Sequence, residues 1–239
     1  MTSYAILPFR RALEARTIFA FWTEHNPMSA NRVRALGTIS ANSRCNVEFL
    51  DANRIALLRK RVIDLHPAYD YLSATHKSDY LRCYFMHQFG GGYTDIKETT
   101  KDWNFAFDAL LASDAFGVGY TEISAEDVAP VSGTIERTMK RDYRSLIGNC
   151  AYIFRPDTLF TQEWISLTTS LLDKKHPLLR ENPASHPQDY MNARLSNGVL
   201  SRYPMRWTEL LGNIFHPLVF KNKKKILHCD IQPELLDYH

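Results

Sequence analysis

The chain reads as an α/β protein built on a mostly parallel sheet, and three observations carry that expectation. Short apolar runs alternate with stretches of helical periodicity, the pattern of βα units. The 239 residues suit one large domain on a prior of roughly 150 residues per domain, so residues 1–239 are taken as a single unit. A composition of 45% hydrophobic and 23% charged residues supplies enough apolar surface for a core without staples.

Each element follows in order. Thr17, Ile18, Phe19, Ala20, Phe21 and Trp22 form a first strand, far too short an apolar run to span a bilayer. Residues 29–39 place Val33, Leu36 and Ile39 at helical spacing and predict an amphipathic helix. A second strand covers 46–50, and a second helix covers 53–65, ended by Pro67. Ser78 is read as the cap of a third helix, with Asp79 in its first turn, where a negative charge meets the helix dipole. Leu81, Tyr84, Phe85 and Phe89 give that helix its apolar face. Three glycines, 90–92, then stop it, because glycine takes positive φ without strain.

The chain resumes at 93–97 as a strand. Residues two apart share a strand face, so Asp95 and Lys97 are expected to point together while Ile96 enters the core. Further strands are read at 115–120 and 150–154, and Pro156 separates the latter from a helix at 158–172. Residues 121–144 are polar and weakly periodic, which predicts either a mobile flap or a disordered insertion.

Charge and cysteine usage narrow the function classes. A net charge of +3 is too mild for a nucleic-acid binder. The one basic run, 221–225, is either a solvated loop or a weak peripheral grip on an anionic membrane surface. Cys45, Cys83, Cys150 and Cys229 are widely spaced, which argues against a zinc cage or a disulfide framework. A reducing compartment follows. No signal peptide is visible, so the expected location is the cytoplasm, with the inner face of the membrane as the peripheral alternative.

A carboxylate at a strand end, such as Asp95, sits where α/β sheets bind ligands. Taken alone it equally fits a solvated or capping acid. The longer pattern is more specific. Ser78-Asp79-Tyr80-Leu81-Arg82, followed by Gly90-Gly91-Gly92-Tyr93-Thr94-Asp95-Ile96-Lys97, resembles the Ser-Asp-x-x-Arg…Gly-Gly-x-Tyr-x-Asp-x-Asp signature of glycosyltransferases with the GT-A fold. The likeness is closest to the capsular polysaccharide synthesis group and is strong over roughly residues 66–103.

That resemblance implies a Rossmann-like mixed sheet flanked by helices. It also implies a nucleotide-sugar donor, a saccharide or lipid-linked acceptor, and a role in bacterial surface polysaccharide synthesis. Asp79 and Arg82 match the motif pair at the donor site. Asp95 matches the first acid of the Asp-x-Asp motif, which contacts donor ribose or a divalent metal, Mn or Mg. Lys97 stands where the second acid belongs. Its ammonium cannot ligate a metal while protonated, but it can pair with a diphosphate oxygen. Metal dependence is therefore in doubt, with Glu98 or a distant histidine as the replacement ligand.

Other candidates are more scattered. Gln188-Asp189-x-x-Asn192 is similar to an Asp-Gln-Asp-x-x-Asn segment of retaining GT-A enzymes, which implies that Gln188 and Asp189 lie by the anomeric carbon. A helix cap fits the same residues equally well. Asn149 either bonds donor hydroxyls or serves a turn. His216 and His228 are the candidates for the late histidine that completes a metal site with Asp95. Trp22, with Thr23, Glu24 and the His25-Asn26-Pro27 segment after the first strand, lies where GT-A enzymes meet the nucleotide base. Two rival readings stay open: a non-catalytic nucleotide-sugar binder, and a phosphosugar transferase.

Overall fold

A computed structural model describes Phe9 and residues 11–235. Strand β1 (Thr17–Trp22) is apolar and buried along nearly its whole length, as a strand covered on both faces must be. It pairs in parallel with β2 (Asn46–Asp51) on one side and β3 (Gly91–Thr94) on the other. The antiparallel strand β5 (Ile147–Phe154) comes next, followed by β4 (Gly117–Thr121) and the parallel edge strand β6 (Ile226–His228). The sheet order is β2-β1-β3-β5-β4-β6, and β5 alone runs against the rest. This is the expected mixed α/β sheet.

Helices cover both faces, and side-chain alternation decides which. Ile18, Val118 and Ile153 face a cluster with Phe107 of α4 (Asn104–Leu111), Trp103 just before it and Ile39 of α1 (Ala30–Ser43). Their neighbours Phe19, Tyr152 and Phe154 face the larger core. There they meet Phe85 of α3 (Ala74–Gln88), Trp164 of α6 (Leu159–Glu181) and Phe215 of α7 (Gly212–Lys221). Edge-to-face ring pairs such as Phe19–Phe85, with centroids 5.0 Å apart, hold α3 against β1.

The glycine turn after α3 has a steric reason. Gly90 and Gly91 hold φ of 66° and 87°. A Cβ at Gly90 would lie 2.5 Å from Pro156 Cδ and 2.9 Å from the Phe154 carbonyl. Only glycine lets the chain turn this tightly against the end of β5 and enter β3 beside β1.

Several expected boundaries move. Helix α1 starts after Ser29, which caps it, and runs past Ile39 to Ser43, but Val33 lies outside the core and Ala35 takes its place. Helix α2 (Ala52–Arg59) ends well before Pro67, which instead starts a short 3₁₀ turn. Helix α3 begins at Ala74, capped by Ser73, whose side chain accepts the His76 N–H. Ser78 and Asp79 therefore lie in its second turn, and Asp79 is buried rather than complementing the helix dipole.

Strand β3 stops at Thr94. The Lys97 N–H closes a bend onto the Asp95 carbonyl, and Ile96 drops into a small cluster with Ala20 and Ala35. Residues 121–144 are neither flap nor disordered insertion. They carry α5 (Thr134–Arg141), and Glu122, Val128 and Ala129 are buried. Helix α6 continues beyond residue 172 through Pro177 because Leu179 is buried in the core.

The lysine run is neither a bare solvated loop nor a free basic patch. Lys221 pairs with Glu163 at 2.7 Å, Lys223 with Asp142 at 2.7 Å, and Lys225 with Asp114. All four cysteines are free thiols. No helix among the described residues is long and apolar enough to cross a membrane.

Candidate functional site

The carboxyl ends of β1 and β3, the start of α1 and the side of α3 surround a pocket of about 610 Å³. Trp22, Arg82, Asp95, Lys97 and Gln188 line it, together with Thr23, Glu24 and Asn26 of the loop after β1, so the structure brings most of the sequence-derived candidates from these segments to one cavity. Its position outside the carboxyl edge of parallel strands is where α/β sheets bind ligands.

Arg82 organises the floor. It rises from the buried side of α3, with its guanidinium 4.4 Å from the centre of the Tyr93 ring. Its Nη2 lies 3.2 Å from Asp79 Oδ1 and 3.4 Å from Asp95 Oδ1, so one cation serves two carboxylates. Its Nη1 donates to the Asn149 carbonyl at 2.9 Å. Its Nε, also buried, has no hydrogen-bond partner among the described residues. Asp95 is held from three sides. Tyr93 donates its hydroxyl to Oδ1 at 2.7 Å, Arg82 approaches the same oxygen, and Lys97 Nζ lies 3.4 Å from Oδ2. Lys97 also donates to Cys150 Sγ at 3.1 Å. The expectation that Asp95 and Lys97 meet holds, although a bend rather than a strand brings them together.

The two carboxylates titrate apart. Burial pushes Asp95 up, but Arg82, then Lys97 and the Tyr93 hydroxyl, outweigh it and leave Asp95 below the usual carboxylate range. Asp79 is 4% exposed, and burial lifts it to about 7 against the pull of Arg82, with the Asp95 charge adding to the rise. Near neutrality the cluster of Arg82, Lys97 and Asp95 is therefore electropositive, with Asp79 partly protonated behind it.

A stability consequence follows from the raised value. Between the ordinary value of 3.8 and about 7 the native state binds more protons at Asp79 than the unfolded chain does. The resulting stabilisation is fully present below about pH 4 and is lost as pH rises through about 7, with an upper bound of about 4 kcal/mol. Asp79→Asn is expected to flatten the fall in melting temperature between pH 5 and 8. A variant that keeps the wild-type slope would remove Asp79 as its source.

The remaining candidates fall elsewhere. Asp189 is fully buried behind the turn that carries His186, Pro187 and Gln188 to the pocket. Its Oδ2 accepts from Ser185 N at 2.8 Å and Ser185 Oγ at 2.9 Å, so it fixes that turn and does not line the pocket. The segment is no helix cap either. Asn149 contributes its backbone carbonyl to Arg82 and does not line the pocket.

His216 is fully buried; it accepts from Ala129 N at 3.0 Å and sits 3.2 Å from Glu122. His228 bonds Thr121 at 3.0 Å on the edge strand β6, three sheet positions from β3, or about 14 Å at the usual strand spacing. Neither histidine shares a site with Asp95. Glu98 is exposed and lies outside the pocket lining. Among the described residues, no group of three or more His, Cys, Asp or Glu side chains is placed to hold a metal. Around Asp95 the neighbours are two cations and a hydroxyl donor, a set that does not fit a divalent ion.

Residues around the rim complete the cavity. Thr23 donates to the Ala74 carbonyl at 2.9 Å, and Trp22 Nε1 to the Asn26 carbonyl at 2.8 Å, which fixes the loop after β1. Glu24 pairs with Lys77 at 3.0 Å. Arg32 and Tyr93 also line the cavity, and neither was given a role from the sequence. Arg32, whose Nη1 donates to the Ile96 carbonyl at 2.6 Å, occupies the first turn of the helix that follows β1. Tyr93, two residues before Asp95, donates its hydroxyl to that carboxylate, a contact the short spacing makes possible.

No family model matches the chain, and no curated protein matches it. Among solved structures it is similar to one titled "PaToxG Glycosyltransferase", at 13% identity and a TM-score of 0.47, covering 86% of this chain and 68% of that one. The likeness is too distant to carry residue roles across.

Proposed function

We propose that this protein is a glycosyltransferase that takes a sugar from a nucleoside-diphosphate donor and passes it to a saccharide or lipid-linked acceptor. The observation that supports this reading best is the pairing of Arg82 and Lys97 around Asp95, in a pocket at the carboxyl edge of β1 and β3. Cleaving a glycosyl–phosphate bond leaves negative charge on the departing diphosphate. Fixed cations that meet that charge lower the barrier. Arg82 is held in place at the pocket wall by its contacts with Asp79, Asp95 and the Asn149 carbonyl, and Lys97 supplies a compact second charge. Asp95 then orients the pair and accepts a donor hydroxyl. The resemblance of residues 78–97 to the signature of the capsule group supports a role in surface polysaccharide synthesis.

In this reading Arg82 and Lys97 do the electrostatic work that a second motif acid and its metal do elsewhere. Titration of nucleotide sugars by thermal shift, in EDTA and in manganese, tests it. A bound donor at a hundredfold excess over Kd should stabilise the native state by about 2.7 kcal/mol in either buffer, and Asp95→Ala should abolish the shift. Stabilisation that vanishes in EDTA and returns with manganese would overturn the cation-pair reading. Stabilisation unchanged in Asp95→Ala would remove Asp95 from the site.

The withdrawal of Asp189 from the pocket favours one rival, a nucleotide-sugar binder without catalysis. Release of nucleoside diphosphate from the donor decides between the two, since a binder releases none at any protein concentration.

A further inference from the structure

We propose that the arm formed by residues 190–207 docks on an anionic phospholipid bilayer beside the mouth of the pocket. The arm is a short, irregular antiparallel excursion. Met191 N bonds the Met205 carbonyl at 2.7 Å, Ser201 N bonds the Ala193 carbonyl at 2.8 Å, and Gly198 turns the tip at φ 80°. Its inner side is anchored. Tyr203 is buried, and its hydroxyl reaches Ser73 N at 3.2 Å and His76 Nδ1 at 3.0 Å, at the start of the helix that builds the pocket. The exposure of the outer side is therefore a property of a fixed element.

That outer side is both apolar and basic. Val199 is 59% exposed, Leu200 50%, Trp207 46% and Tyr190 41%. Arg194, Arg202 and Arg206 are exposed between them, and none forms an ion pair among the described residues. Residues 190–208 contain no Asp or Glu to neutralise them. The contrast with the lysine run is direct, because Lys221, Lys223 and Lys225 each face a carboxylate of the protein itself.

Arginines beside exposed aromatic and aliphatic side chains match the two layers of a bilayer interface, phosphate outside and acyl chain within. A soluble polyanion would engage the arginines but leave Val199 and Leu200 in water. Trp207 belongs to both the arm and the pocket lining, so docking would hold the cavity at headgroup level, where a lipid-borne acceptor is presented.

Sedimentation of the full chain with vesicles tests this without any donor, so the result is independent of the proposed activity. Vesicles containing about one third phosphatidylglycerol should carry the protein down, less so as salt rises, while pure phosphatidylcholine should not. Arg194→Gln with Arg202→Gln should lower the partition coefficient by about 30-fold. Val199→Ser with Leu200→Ser should lower it as well, with melting temperatures unchanged because all four side chains are exposed. Lys223→Gln with Lys224→Gln should leave it intact.

Absent sedimentation, equal sedimentation with neutral vesicles, or loss that follows the lysine pair would each overturn the proposal. So would retention on heparin that depends on the arginines while vesicle partition ignores Val199 and Leu200, which would assign the arm to a soluble polyanion.

Discussion

Arg82→Met is expected to lower the melting temperature by roughly 10 °C at neutral pH and to abolish nucleotide-sugar binding. The stability loss comes from what is left behind. Asp79 and Asp95 both lean on Arg82 Nη2, and removing one partner of a buried ion network strands the other charges. A cost of about 3 kcal/mol is the low end for such a loss, because Asp79 escapes part of it by taking a proton and Asp95 keeps Lys97 and the Tyr93 hydroxyl. A chain of this length loses about 2–4 °C per kcal/mol.

The pH dependence separates this mechanism from simple loss of packing. As pH falls from 8 to 5 Asp79 becomes neutral and no longer needs Arg82, so the deficit of the variant should shrink over that range, whereas a cavity would cost the same at every pH. The double variant Asp79→Asn/Arg82→Met should lose less than the sum of the two singles, since the residues share one network. An Arg82→Met protein that melts with the wild type at pH 5 and at pH 8 would sink the network as described.

The part of this site that was legible in the sequence is the part whose partners are neighbours in the chain. Asp79 and Arg82 are three apart on a helix, so periodicity places them on one face, and Asp95 and Lys97 are two apart on a tight bend that keeps them close. The strand at Thr17–Trp22 was legible for a similar reason, since a strand buried on both faces is a continuous apolar run.

Failures occurred where the deciding partner is remote. His216 looks like a free ligand until Glu122, far away in the chain, is folded against it. The polar stretch 121–144 looks unstructured until Glu122 finds His216 and Val128 and Ala129 find the core. The start of α3 was misplaced for a subtler reason. Ser73 and Ser78 are both competent caps, and an aspartate after Ser78 imitates a first-turn acid, but tertiary burial of Asp79 puts Ser78 mid-helix.

Lys97→Asp is the sharper test of the chemistry. It restores the second acid of the Asp-x-Asp pattern on the same bend, facing Asp95, and removes the ammonium that lies 3.4 Å from Asp95 Oδ2. Without metal, donor binding should weaken by at least 100-fold. A charge-assisted hydrogen bond worth about 1.5–3 kcal/mol is lost, and a second carboxylate now repels the diphosphate. Turnover should fall further still, by about 10²–10³ for a group that meets charge only as the leaving group departs.

Adding manganese distinguishes what Lys97 does. Two carboxylates two residues apart form a plausible hard-cation pair, so manganese should restore a measurable share of donor binding in Lys97→Asp while leaving the native protein unchanged. Lys97→Met, which loses the charge but gains no ligand, should stay weak in both conditions. If Lys97→Asp and Lys97→Met both bind donor as the native protein does, Lys97 is merely the structural partner of Asp95 and Cys150, and the diphosphate is held by Arg82 alone.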